Sequence, residues 1–153
     1  MNINYRCLRE LEIKGLFETP EHRSRFSELL NCYCNYPFFN KGLCKCMYLS
    51  SWDMEHFIVM LDILNDMTIG KNQNLQLMKD NGKVLENMSD GYDRYIFQLA
   101  GAFLTSQDFQ MPYVPIAKEG QHIIQRALEA AEVIETVFNA EEKYGGVHIS
   151  YIS

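Results

Sequence analysis

No stretch of this 153-residue chain approaches the ~20 consecutive apolar residues that a bilayer-spanning helix needs. Charges sit in "MNINYRCLRELEIKGLFE" where a secretory signal would need its apolar region. Together these absences predict a cytoplasmic protein with no membrane attachment. The loops that cradle phosphates are also missing, since neither G-x-G-x-x-G nor G-x-x-x-x-G-K-[ST] occurs. No G-x-S-x-G elbow and no H-E-x-x-H pair are present, which removes the familiar serine hydrolases and zinc peptidases. Basic clusters are lacking as well. The densest is Arg23/Arg25, interleaved with acids, and the net charge is −6. Nucleic-acid binding needs gathered Lys and Arg to displace counterions from phosphates, so it is not expected here.

What is present fits one globular domain spanning residues 1–153. Hydrophobic residues make up 47% and charged residues 22%, enough apolar surface for a core and too little charge for disorder. The patterning is helical. In "ETPEHRSRFSELLNCYCN", Thr19 can cap a helix and Pro20 suits its first position, where a missing N–H costs nothing. Phe26, Leu29, Leu30 and Tyr33 then recur at helical spacing. Further apolar stripes run through Phe57, Met60, Leu61 and Leu64, and through Tyr92, Tyr95, Ile96, Leu99, Phe103 and Leu104. The longest begins near Lys118 and includes Ile123, Ile124, Ala127, Leu128, Ala131, Ile134, Val137 and Phe138. Ser50-Ser51 and Ser89/Asp90 are the expected caps of two of these helices, and Gly145 the expected stop of the last. The Asn81-Gly82 pair is a strong two-residue turn signal and points to a short β-hairpin near residues 75–85 or an ordered loop there. The expected architecture is mainly α, a bundle of about five helices, with a tail from 147 to 153 as a short strand or frayed end.

Four of five cysteines fall in "NCYCNYPFFNKGLCKCMYLS" as Cys32/Cys34 and Cys44/Cys46. If gathered, they would make a zinc or thiol site. On a helix, residues two apart point ~200° apart and cannot share one ion. The helical reading therefore makes them small apolar packing residues, with no cofactor expected and metal or thiol chemistry the alternative. His22, flanked by Glu21, Arg23 and Arg25, is the candidate acid–base residue, with Arg23 beside it. Capping or packing at the helix start is the competing reading, and the same choice applies to His56. Glu129, Glu132 and Glu135 form an acidic stripe expected to face water.

Aromatics also gather in the segments between helices: Tyr36, Phe38 and Phe39, then Phe109 and Tyr113 near Met111. Such side chains are enriched where proteins touch. Either they fold back over the core or they form a partner-binding surface, with Phe38, Phe39, Phe109 and Tyr113 as its residues. The partner would be another protein or a second copy of the chain.

The segment "LFETPEHRSRFSELL", residues 16–30, resembles the opening of small domain-of-unknown-function families from Gram-positive bacteria and their phages or mobile elements. Phe17, Glu21, His22, Arg23, Phe26, Leu29 and Leu30 carry the resemblance, which extends loosely to "YIFQLAGAFL" and the last helix. It implies a small, mostly helical bacterial or phage-associated protein and brings no catalytic residues. The function expected on all these grounds is a non-enzymatic protein–protein interaction module. A metal-binding or thiol-dependent protein is the alternative, and a small hydrolase or nuclease centred on His22 a further one.

Overall fold

The computed structural model describes residues 2–70 and 74–152, with side-chain surroundings as far as residue 141. Among the described residues there are seven helices and no strand. The helices are α1 (Ile3–Ile13), α2 (Pro20–Tyr33), α3 (Lys41–Ser50), α4 (Met54–Ile69), α5 (Gln76–Met88), α6 (Tyr92–Thr105) and α7 (Lys118–Ile152). No helix among the described residues is long and apolar enough to cross a membrane.

The local chemistry of the helix ends explains most of the boundaries. The Asn2 side chain accepts the Tyr5 N–H at the start of α1, and Gly15, at φ +66°, takes the left-handed turn after its end. Thr19 Oγ1 accepts the His22 N–H at 3.0 Å, with Pro20 and Glu21 filling the first turn of α2 as expected. Asn40 Oδ1 accepts the Leu43 N–H at 2.8 Å and starts α3. Asp53 caps α4, accepting the His56 N–H at 2.9 Å. Ser50 and Ser51, expected to cap that helix, instead close the preceding one: the Ser51 hydroxyl donates to the Met47 carbonyl. Ser89 and Asp90 do not cap α6 either, because Gly91 at φ +61° occupies that position.

Helix α3 sits at the centre, packed against α2, α4, α6 and α7. Gly42, Leu43, Cys44, Cys46, Met47, Tyr48 and Leu49 are accordingly all buried, on every side of its circumference. Phe26, Leu29 and Leu30 of α2 are fully buried, each worth roughly 1.5–3 kcal/mol relative to exposure. Two glycines permit close approach. A Cβ at Gly42 would lie 2.5 Å from the Phe103 carbonyl oxygen, and one at Gly120 would overlap the Tyr92 side chain.

The mainly α expectation holds, but three details of it are corrected. There are seven helices among the described residues, not about five. The expected hairpin at 75–85 is helix: α5 runs through Asn81-Gly82, and the Asn81 side chain donates to the Leu77 carbonyl one turn back. Leu77 and Met78 join the apolar core, and the packing of α5 against α6 outweighs the local turn preference. α7 also continues past Gly145 to Ile152, where a stop and then a strand or frayed tail were expected.

Candidate functional site

The cysteines do not gather. Cys32 is exposed and Cys34 half-buried at the end of α2, where the Asn4 amide donates to the Cys34 sulfur at 3.0 Å. Cys44 turns toward Cys7 of α1, while the Cys46 thiol donates to the Ala100 carbonyl of α6 at 3.3 Å. Burial pushes both thiols up, Cys44 further through its hydrogen bond with Cys7. Among the described residues no group of three His, Cys, Asp or Glu could hold a metal ion. The helical backbone disperses these side chains, as the i, i+2 geometry requires.

His22 is fully buried, enclosed by Phe17, Tyr48 and Trp52 with ring centroids 4.6–5.3 Å away. Its Nε2–H donates to the Tyr48 carbonyl at 3.0 Å, which fixes the tautomer, and Nδ1 is buried without a partner. Desolvation, with a smaller contribution from the Arg25 charge, lowers its pKa to about 4 despite the carbonyl bond. Arg25 donates to the carbonyls of Ser51 and Trp52 at 2.9 and 3.1 Å. Two basic residues of α2 thus satisfy carbonyls at the end of α3, where such groups lack helical partners. Arg23 lies outside this arrangement and pairs with Glu12 at 3.1 Å. The "EHRSR" cluster is a structural joint, and its imidazole does not face solvent.

His56 is placed differently. Nδ1 lies 2.7 Å from Asp53 Oδ1, and Nε2 lies 3.4 Å from Asp93 Oδ1 at the start of α6. The hydrogen bond to Asp53 raises the pKa of the ring against its partial burial. With both nitrogens facing carboxylates, the ring ties α4 to α6 and has no free lone pair to act as a base.

The expected partner-binding aromatics divide. Phe38 is buried, stacked on Tyr36 at 5.2 Å, so it is not surface. Phe39 is half-buried against Phe138. Tyr113 is fully exposed, and Phe109 lines a groove. The acidic stripe is less solvated than expected, because Lys41 and Lys45 of α3 both reach Glu135, at 2.7 and 2.6 Å.

That groove encloses about 560 Å³, within the ordinary range for ligand sites. It exists because α4 and α6 both pack on α3 while their backbones stay apart, bridged by the His56 side chain: no Cα of one comes within 8 Å of the other. Cys46 and Leu49 of α3 contribute to it, as do Met60 and Ile63 of α4. Met78 and Gly82 come from α5, Ala100 and Gly101 from α6, and His56 also lines it. Polar groups surround this apolar lining, Lys79, Lys83 and Glu86 from α5 and Asp108 from the following loop among them. Sequence reasoning missed the groove. Its available signal was two glycines inside helical patterns, in "KDNGKVL" and "QLAGAFL".

No protein-family model matches the chain, and neither a curated protein nor a solved structure matches it.

Proposed function

We propose that the chain is a non-enzymatic binding module, and that the groove between α3, α4, α5 and α6 holds an apolar segment of a protein partner. The observation that carries this reading is an open apolar concavity of about 560 Å³ framed by polar side chains. Protein interfaces have that anatomy, an apolar centre inside a polar rim. Two methionines, Met60 and Met78, add side chains that adapt to varied partners. The two best-placed histidines support a non-catalytic role, since His22 is sealed and His56 is held between carboxylates. A bacterial or phage-associated setting belongs to the same reading and rests on the sequence resemblance alone, and a cytoplasmic one rests on the apolar patterning of the sequence.

The test is methyl NMR on the native protein titrated with an apolar fluorophore, anilinonaphthalene sulfonate. Saturable shifts at the methyls of Met60, Met78 and Ile63, with Met47 in the core unmoved, are expected. Shifts confined to Met111 and Val114, on the exposed loop, would overturn the assignment of the groove.

A further inference from the structure

Four helical glycines fall within the residues whose side-chain surroundings are described, and they divide cleanly. Gly42 and Gly120 have no room for a Cβ, so packing explains them. Gly82 and Gly101 would meet nothing within 4 Å, so packing does not. Neither has a positive φ that would demand glycine. A mid-helix glycine costs about 1 kcal/mol relative to alanine, and one that is not needed for packing points to another use. Both unexplained glycines line the same groove, on α5 and on α6. Helix propensity is given up at two positions to leave the groove unfilled, which is expected where an occupant must approach two helix backbones.

The nature of the occupant follows from the small-residue lining and the charge of the groove. Helices pack at about 8–10 Å between axes, and small residues at the contact permit the closer end of that range. Gly82, Ala100 and Gly101 supply such a surface. Lys79 and Lys83 stand one turn apart on α5, and neither has an ion-pair partner among the described residues, in a chain of net charge −6. Two carboxylates at i and i+4 on a facing helix have the same spacing. Glu86, the next turn along α5, sets a polarity, disfavouring acids on the occupant beyond Lys83.

We propose that the groove takes one amphipathic helix of a partner protein, whose acidic residues one turn apart meet Lys79 and Lys83. This rests on the groove being the working surface and adds the chemistry of what fills it.

The experiment measures fluorescence anisotropy of two labelled amphipathic peptides of about 16 residues, long enough for a few helical turns. They share one leucine stripe and differ only in carrying Glu or Lys pairs at i, i+4 beside it. The Glu peptide is expected to bind about tenfold tighter at low salt, with the gap closing above ~0.1 M. The double variant Lys79→Glu/Lys83→Glu should reverse the preference. Gly101→Leu should abolish binding of both peptides while thermal stability is kept or raised, and Gly82→Leu provides a second blocked groove.

An unchanged peptide preference in the double variant overturns the charge pairing. Binding of dodecanoate, blocked by Gly101→Leu, with no binding of either peptide overturns the helical occupant and leaves the groove reading standing. Peptide binding that survives both Leu variants overturns the groove itself. Self-association in sedimentation that excludes the peptide, and is lost in Gly101→Leu, replaces the proposed partner with a second copy of the chain.

Discussion

His22 and Tyr48 are joined by one hydrogen bond, 3.0 Å from the imidazole Nε2 to the backbone carbonyl, inside an aromatic enclosure that leaves the other ring nitrogen without a partner. The carbonyl can only accept, so the neutral ring already has its proton where the structure needs it. A second proton would place a cation among Phe17, Tyr48 and Trp52, near the charge of Arg25.

Acid should therefore weaken the fold through His22. Its pKa is about 4 in the folded chain against 6.5 when unfolded, so between those values the unfolded state binds more protons. Stability is full above pH 6.5 and falls as pH drops toward 4, by about 3 kcal/mol from this group. Urea unfolding at a series of pH values measures the slope. In His22→Phe the slope should be shallower whatever the variant's absolute stability, and an unchanged slope would refute the assignment.

His56 should act with the opposite sign. Its raised folded pKa means that the contact with Asp53 adds stability fully present below 6.5 and lost as pH rises through the folded value. Asp53→Asn should bring the ring's NMR titration midpoint down toward the ordinary histidine value. The Asp53 carboxyl is itself held below its usual range, because hydrogen bonds from His56 outweigh its partial burial. A midpoint indifferent to Asp53→Asn would contradict this geometry.

The glycines predict a split in sign. Gly42→Ala forces a methyl to within 2.5 Å of the Phe103 carbonyl and should destabilise by roughly 1–3 kcal/mol. Gly82→Ala and Gly101→Ala add helix propensity into open space, and each should stabilise by roughly 0.5–1 kcal/mol. Thermal melts of the three single variants check this directly. A loss at Gly101 as large as that at Gly42 would mean that the groove is not open there.

Thiol labelling should separate the cysteines by burial. In the native protein Cys32 should react with a disulfide reagent at once and Cys34 more slowly. Cys7, Cys44 and Cys46 should wait for unfolding, since burial also keeps the Cys44 and Cys46 thiols protonated. Added zinc should leave the melting temperature unchanged, as the sulfurs have no common centre among the described residues. A zinc-dependent rise in melting temperature would revive the metal reading.

Local chemistry made several features readable in the chain itself. Thr19, Pro20 and Glu21 define the start of α2 through groups one turn apart, and Phe26, Leu29 and Leu30 give its buried face by periodicity. The separation of Cys32 from Cys34 follows from helix rotation alone. These outcomes depend on neighbours within a turn or two, and such neighbours are visible in a linear sequence. Residues 75–85 mark the boundary of that logic, because Asn-Gly is a good turn locally but α6 offers their apolar stripe a surface to cover.

Other properties were decided only when distant elements met. His22 and Arg23 are neighbours in sequence, yet one is sealed beneath Tyr48 and Trp52 and the other pairs with Glu12 in solvent, because α3 covers one side of α2. The same held for Phe38 and Tyr113, both aromatics between helices, one buried and one bare. The groove is the clearest case. Gly82 and Gly101 have no relation along the chain, and the gap they line arises because α4 and α6 pack on a third helix without touching through their backbones. Helix formation is a matter of neighbours in sequence; burial and vacancy depend on which surfaces of separate helices finally face each other.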